Sequence, residues 1–254
     1  KKKKLIKMIG VSVYDPNDLK TVFLKFNPDI VQFSLNKWLG DIKGSHTAYH
    51  FGQYFAQSIN IQTWNANDIQ LWGDKPDSKP LGTFGIHYIS AAYSISHDLN
   101  SPYRFGLRIE TNYSHLFVES MSGMTLDIGI LIPINSFMTS GLTIRNFGYE
   151  YSKNLRVNIP VELGAGTKLD LPYKISILTD AIYLSNKGLD IRLALIKKGN
   201  WLNFNLGASK HDKRIAHAIG FSFNYRKLLI SYGLYNHENS ELGLPQFFDV
   251  RLYL

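Results

Sequence analysis

The sequence predicts an all-β fold: a transmembrane, antiparallel up-and-down β-barrel of about 14 strands with an N-terminal hatch or plug segment. Apolar and polar residues alternate along many short segments, and the last of these, Phe248 to Leu254, runs to the end of the chain. Such segments form strands with one apolar and one polar face. The longest nearly uncharged apolar run, Ile128 to Ile134, is far shorter than the roughly 18 residues of a membrane-spanning helix. Any membrane crossing must therefore use strands.

The composition limits the possible function classes. The 254 residues suffice for one large β domain, and 44% of them are hydrophobic, so the chain is not disordered. Cysteine is absent, which excludes cysteine-based zinc and redox sites. The net charge of +8 permits attraction to nucleic acid or anionic lipid, but four of the 28 basic residues are Lys1 to Lys4 and the others are scattered. We expect no nucleic-acid partner.

The N-terminal region differs from the rest of the chain. Residues 1–10 resemble the charged start of a signal peptide but lack the apolar run that should follow, so we expect that an export signal was removed or lies outside this sequence. Residues 11–28 alternate poorly and contain two turn signals. We divide the chain into an N-terminal periplasmic or hatch segment, 1–29, and a barrel, 30–254. The predicted hatch residues are Tyr14, Asp15, Asn27 and Pro28, and an ordinary turn before the first strand is the alternative for Asn27-Pro28.

From residue 30 onward the pattern predicts strand after strand, separated by turn residues. The predicted strands are 30–38, 45–54, 57–65, 82–95, 103–117, 124–134, 137–147, 155–169, 173–184, 189–197, 201–209, 215–226, 228–236 and 247–254.

Two features of these strands predict local irregularities. In the fourth strand the apolar phase slips near Ile89, which indicates a β-bulge. Pro133 and Pro160 cannot donate a ladder hydrogen bond, so they should lie at strand ends, rims or bulges.

The lengths of the connections favour a membrane barrel over a soluble sandwich. Counted from a periplasmic N-terminus, the even-numbered connections are short, whereas the two longest, Asn65 to Pro80 and His237 to Gln246, are odd-numbered. Short turns at one end and longer loops at the other are typical of outer-membrane barrels. Aromatic residues near strand ends could form interfacial girdles, or they could reflect only the preference of aromatic residues for strands. They are Trp38, Trp64, Trp72, Tyr103, Tyr183, Trp201, Tyr225 and Tyr235.

Several short motifs resemble a known family. The segment Phe26-Asn27-Pro28-Asp29-Ile30 precedes a strand that ends in Trp38-Leu39-Gly40-Asp41, and a Ser/His/Tyr-rich strand, Ser45-His46-Thr47-Ala48-Tyr49, follows. With Leu81-Gly82-Thr83-Phe84 and Ile144-Arg145-Asn146-Phe147-Gly148, this order is similar to the PorV/PorQ family of FadL-type outer-membrane barrels, the PorQ branch most of all. Asp29 departs from the family, which usually has Ala after Asn-Pro, and the loops are short.

The resemblance implies a fourteen-stranded barrel in the bacterial outer membrane, with the N-terminal chain folded into or under the lumen. Members of the wider FadL group take up hydrophobic compounds across that membrane. PorV and PorQ instead serve the type IX secretion system, as a cargo shuttle and as a membrane anchor. The residues alone do not choose between these functions.

Charged residues on the polar strand faces should point into the lumen. An Arg facing lipid near the midplane would cost about 2–4 kcal/mol. The predicted lumen network comprises Arg104, Arg108, Glu110, Arg145, Arg156, Arg192 and Arg251. Mixed Arg and acidic residues favour a hydrogen-bonded network that fixes the N-terminal segment; an anion- or carboxylate-selective path is the alternative.

The sequence gives no support for an enzyme, a cofactor or a metal site. It lacks G-x-S-x-G, P-loop and G-x-G-x-x-G motifs. His46 and His50 would share a strand face about 13 Å apart, too far to bind one ion.

Our first functional hypothesis is a non-enzymatic docking or anchoring subunit of an envelope secretion complex, with membrane lipid and other envelope proteins as partners. The long loop would contact such a partner through Ile69, Leu71 and Trp72. The alternative is a FadL-like channel for fatty acids or other hydrophobic small molecules, which would need an apolar lumen pocket and a break in the wall, expected near Ile89. A soluble β-sandwich or carbohydrate-binding module is the third hypothesis.

Overall fold

The computed structural model describes residues 29–38, 42–52, 55–71, 79–98, 103–153, 155–211, 214–236 and 243–254. The predicted hatch residues Tyr14, Asp15, Asn27 and Pro28 lie outside the described residues, as does Trp72. In the part of the chain that is described, no helix is long and apolar enough to cross a membrane.

Strands make up nearly all of the described chain. They are β1 (Ile30–Lys37), β2 (Lys43–Phe51), β3 (Ala56–Leu71), β4 (Gly82–Asp98), β5 (Arg104–Leu116), β6 (Glu119–Pro133), β7 (Met138–Ser152), β8 (Leu155–Asn158), β9 (Glu162–Leu171), β10 (Ile175–Leu184), β11 (Gly188–Lys198), β12 (Leu202–His211), β13 (Arg214–Tyr225), β14 (Leu228–Asn236) and β15 (Gln246–Tyr253). A short 3-10 turn, Pro172–Lys174, joins β9 to β10.

The strands form one closed antiparallel barrel. Each strand pairs with its neighbours in sequence, and β15 pairs with β1 from Ile30↔Tyr253 to Lys37↔Gln246, which closes the wall. Segments β8 and β9 lie in line along β7, so the wall has 14 strand positions. The predicted fourteen-stranded barrel is confirmed.

The alternation of side chains explains why these segments pair as they do. On β1, Val31, Phe33 and Leu35 are exposed on the outside, whereas Gln32 between them is buried. The same division holds around the wall, where exposed apolar residues alternate with buried Ser, Thr, Asn and Asp. An exterior of this kind is suited to lipid, because polar groups in hydrocarbon are costly unless they are hydrogen-bonded.

Aromatic residues mark the end of the barrel that carries Asp29 and Leu254. In or beside each of the six connections at that end stands one exposed aromatic residue: Phe55, Tyr103, Phe137, Tyr173, Trp201 and Tyr225. This arrangement matches an interfacial girdle. Of the other residues predicted for girdles, Tyr183 is exposed near the opposite end, whereas Trp38, Trp64 and Tyr235 pack inside the lumen.

The bulge predicted at Ile89 is wrong. Pairing is continuous there, with Ile89 opposite Thr63 on β3 and Tyr113 on β5. The apolar phase slips because the large side chain of Tyr88 is buried on the lumen side.

Two bulges occur elsewhere. In β3, Asn67 and Asp68 together face one residue of β4, and Asp68 has a φ of 57°. In β7, Arg145 and Asn146 face Asp127 of β6, and Asn146 has a φ of 66°. Asp and Asn are among the non-glycine residues that most readily adopt this left-handed conformation.

The predictions for the prolines are confirmed, and the third strand is longer than predicted. Pro133 is the last residue of β6, and Pro160 lies in the interruption between β8 and β9. Strand β3 continues to Leu71, paired with Gly82 of β4, so Ile69 and Leu71 belong to a strand and not to a loop. The two longest connections, 72–81 and 237–245, lie at the end opposite Asp29 and Leu254. The other turns at that end are as short as those at the end that carries Asp29 and Leu254.

Polar contacts reinforce the closing seam between β1 and β15. Asp249 Oδ1 accepts hydrogen bonds from Gln32 Nε2 (2.7 Å) and Ser34 Oγ (2.6 Å), and Asp249 Oδ2 accepts one from Arg251 Nε (2.9 Å). One carboxylate thus ties the last strand to the first.

Replacing Asp249 with Ala should destabilise the barrel by about 1–3 kcal/mol, because Gln32, Ser34 and Arg251 lose their common partner. Urea unfolding in detergent micelles, followed by the gel shift between folded and heat-denatured barrel, measures the change. Glu119→Ala removes an exposed carboxylate from the β5–β6 hairpin and serves as the matched control. Equal stability of the two variants would contradict a special role for the seam.

Candidate functional site in the lumen

A charged cluster lies on the lumen side of β4 to β6. Arg108 Nη2 lies 3.0 Å from Glu110 Oε2, and Arg108 Nε lies 3.9 Å from Asp127 Oδ2. Tyr88 donates its hydroxyl hydrogen to Glu110 Oε1 at 3.2 Å. The predicted network residues Arg108 and Glu110 are therefore in direct contact.

The bulge in β7 extends this cluster. Its Asn146 backbone N–H donates to Asp127 Oδ1 at 2.7 Å, and Asn112 Nδ2 donates to Glu150 Oε1 at 2.6 Å. Gly123 makes room for the second pair, because a Cβ at this position would lie 2.6 Å from Glu150 Cγ. These bonds hold the buried carboxylates of Asp127 and Glu150, on two neighbouring strands, in fixed positions.

Further ion pairs follow around the wall. Arg145 Nη2 lies 3.1 Å from Glu162 Oε2. Arg192 donates from Nε and Nη2 to Asp190 Oδ2 at 3.1 and 2.7 Å, and Asp180 is opposite Arg192 in the ladder. With Arg251 beside Asp249, five of the predicted lumen residues lie in ion pairs: Arg108, Glu110, Arg145, Arg192 and Arg251.

The other two predicted lumen residues are placed differently. Arg156 is exposed on β8, and its guanidinium lies 4.4 Å from the centre of the Tyr149 ring. Arg104 is half-buried at the start of β5, opposite Leu131 of β6. Arg156 is not part of the polar network described above.

Sequence reasoning missed an aromatic cluster inside the lumen, toward the end opposite Asp29 and Leu254. It consists of buried Trp38, Trp64 and Tyr88 with Ile42, Tyr235 and Phe247 packed against them. The Trp38 ring stacks on Tyr235 at 5.6 Å and is tilted against Phe247 at 6.1 Å. The position of Trp64 in the same phase as Ser58, Asn60 and Gln62 was a signal that its side chain turns inward.

The two indoles add polar atoms to this apolar cluster. Trp38 is 7% and Trp64 1% exposed, and neither Nε1 has a hydrogen-bond partner among the described residues. The face of the Trp64 six-membered ring packs on Gly44, where a Cβ would lie 2.5 Å from Cε3 and Cζ3 and 2.8 Å from Cδ2. The cluster thus combines aromatic surface with two N–H donors.

The wall is interrupted between β7 and the β8–β9 segment. The ladder stops at Arg145↔Glu162 and resumes at Tyr149↔Asn158. Of the intervening residues, Pro160 has no N–H to donate, and Ile159 N donates to Gly148 O at 3.3 Å. The break in the wall expected near Ile89 is absent there, and this interruption is located across the barrel from β1.

Comparisons with known proteins relate the barrel to transport channels. No family model and no curated protein matches the sequence. The toluene transporter TodX of Pseudomonas putida matches the structure with a TM-score of 0.71, 8% identity and coverage of 94% of this chain and 93% of TodX. The toluene transporter TbuX of Ralstonia pickettii matches with a TM-score of 0.67, 9% identity and coverage of 92% of this chain and 91% of TbuX. The monoaromatic hydrocarbon channel CymD matches with a TM-score of 0.63, 8% identity and coverage of 94% of this chain and 91% of CymD.

At such low identity the likeness shows the fold alone. The fold is the one shared by the structures named above, which are channels or transporters. The apolar exterior, the aromatic girdle and the closed ladder identify the chain as a β-barrel of the bacterial outer membrane. The narrower resemblance to PorV/PorQ stays a prediction.

Gly44→Ala should disturb the aromatic cluster, because the new methyl group would overlap the Trp64 ring. We expect a loss of about 1–3 kcal/mol in unfolding free energy and a weaker near-ultraviolet circular dichroism signal from the immobilised aromatic rings. Gly82→Ala is the control, since nothing lies within 4 Å of a Cβ there. Unchanged spectra in Gly44→Ala would show that Trp64 does not depend on this contact.

Proposed function

We propose that this barrel is a channel for the uptake of fatty acids or other hydrophobic compounds across the outer membrane. The observation that carries the proposal is the aromatic cluster around Trp38 and Trp64, which lines part of the lumen. The fold shared with hydrocarbon transporters supports it. The sequence favoured an anchoring role, and these observations favour the alternative.

The cluster can supply affinity only if its rings separate, since Trp38 is 7% and Trp64 1% exposed. A hydrophobic molecule that enters between the rings would gain roughly 25 cal/mol per Å² of apolar surface buried. The cluster lies toward the end with the two longest connections, which faces the cell exterior in barrels of this type. A compound arriving from outside would meet these rings first.

The ion pairs limit the further path of an apolar molecule. Passing the Arg108, Arg145 and Arg192 pairs would bring apolar surface against partly buried charges and displace their partners, which is costly. The interruption at Pro160 offers a route with fewer ladder hydrogen bonds to break. We propose that hydrophobic compounds leave the lumen through the wall at this interruption.

A second candidate is the anchoring subunit of a type IX-like secretion complex, of PorV/PorQ type. The β3–β4 hairpin favours this function because it extends beyond the neighbouring strand β2. Asn65 of β3 pairs with the first residue of β2, and β3 continues for six residues past Asn65. Six residues of strand span about 20 Å. The hairpin carries Ile69 and Leu71, which would contact another envelope protein.

The channel predicts faster uptake by cells that make the protein. In cells without a fatty-acid channel of their own, expression should raise the initial uptake rates of labelled oleate or labelled toluene. Trp38→Leu and Trp64→Leu should each lower this increase in uptake rate by roughly tenfold, because about 1.4 kcal/mol of favourable contact with the aromatic ring is lost.

Trp201→Leu is the matched control, since Trp201 is exposed at the opposite end. Heat-modifiable gel migration verifies that each variant is folded. A folded wild-type barrel that gives no gain for either compound would overturn the channel.

If the protein is an anchoring subunit, a detergent pull-down from native envelopes should recover a protein partner in stoichiometric amount. Ile69→Thr with Leu71→Thr keeps β-forming residues but removes apolar contact surface, and it should reduce recovery of that partner several-fold. Val118→Thr, in the exposed β5–β6 turn, is the control. Recovery of lipid without any protein partner would count against the anchor.

A further inference from the structure

We propose that the outer surface of this barrel binds the phosphate groups of an outer-leaflet lipid along one row of polar side chains. The row crosses six neighbouring strands, β1 to β6, at a single ladder position. Its members are Lys37, Lys43, Asn65, His87, His115 and Ser120.

The strand register places these residues side by side. Lys37 is opposite Lys43, Lys43 opposite Asn65, and Asn65 opposite His87. His87 is in turn opposite His115, and His115 opposite Ser120. With strands about 4.8 Å apart, the row extends about 24 Å along the wall.

The row lies on the outside of the barrel and borders its apolar surface on β1, β4 and β5. Two residues further along the same strands, on the same face, stand Leu35, Ile89 and Tyr113, each more than 40% exposed. Side chains at i and i+2 of a strand share one face, so the polar row and these apolar residues belong to the lipid-facing side. The row is close to the turns that join β1 to β2 and β5 to β6.

The donors in the row suit an anion. Lys37 and Lys43 are both exposed and directly opposite each other, so one anion can contact both ammonium groups. Asn65 Oδ1 is hydrogen-bonded to His87 Nδ1 at 2.9 Å, which orients the Asn65 amide so that its Nδ2 is the side available to a ligand oxygen. His115 Nδ1 is 2.9 Å from Ser120 Oγ, so these two side chains are also held in place.

The position of the row selects lipid phosphate over a soluble anion. None of its six residues is a carboxylate, so an anion bound here would meet no acidic member of the row. A phosphate between the two side chains would accept charge-assisted hydrogen bonds from both ammonium groups. Because the row borders the apolar band, its occupant should carry acyl chains that cover Leu35, Ile89 and Tyr113 while its phosphate contacts the row.

The experiment is a titration of the purified, micelle-bound full chain with diphosphoryl lipid A and with the same glycolipid lacking phosphate, followed by native mass spectrometry. We expect the wild type to prefer the phosphorylated lipid by at least about tenfold, the effect of one or two charge-assisted bonds. Lys37→Gln with Lys43→Gln should abolish most of this preference. Lys187→Gln with Lys210→Gln removes the same charge from exposed lysines elsewhere at this end and should retain it.

Three outcomes would overturn the proposal. One is a wild type with no preference for the phosphorylated lipid. Another is an equal loss in the two double variants, which would show general charge attraction instead of a site. The third is displacement of the lipid by an equal concentration of inorganic phosphate, which would assign the row to a free anion. Heat-modifiable migration verifies that both double variants remain folded barrels.

Discussion

Every backbone N–H and C=O within the hydrocarbon of a membrane must be hydrogen-bonded inside the protein, and this requirement governs the whole structure. The chain satisfies it by pairing β15 with β1, so that no strand edge is left along the closing seam. Closure then fixes the direction of every side chain, because alternate residues must face either lipid or lumen. Asp249, which accepts hydrogen bonds from Gln32 and Ser34, adds polar contacts at the place where the first and last strands meet.

Closure also explains the chemistry of the lumen. Charged residues cannot face lipid cheaply, so they turn inward, where Arg108, Arg145 and Arg192 pair with carboxylates. Against this fixed polar wall, the rings around Trp38 and Trp64 form a separate apolar surface. The ladder is interrupted at Pro160, across the barrel from β1, where three consecutive residue pairs lack regular ladder bonds.

The sequence predicted the strands and the positions of the prolines. It failed where a large side chain faces the lumen and where the strand ladder is interrupted. Pro160 was expected at a strand break because it lacks an N–H, and it lies in one. The phase slip at Ile89 was interpreted as a bulge, but it reflects the inward-facing ring of Tyr88. Arg156 was assigned to the lumen from its polar phase, yet it is exposed over Tyr149, on the short segment that the interruption separates from β9.

By itself the sequence determined the fold class, the number of wall strands and, for most segments, which face is apolar, because an alternation of period two is a local property of each strand. The tertiary structure alone decided which side chains meet. Trp38 stacks on Tyr235, and Lys37 is aligned with residues as distant as Ser120, because of the register between strands and the closure of the wall. Register depends on non-local hydrogen bonds and packing across the barrel, which no single strand encodes.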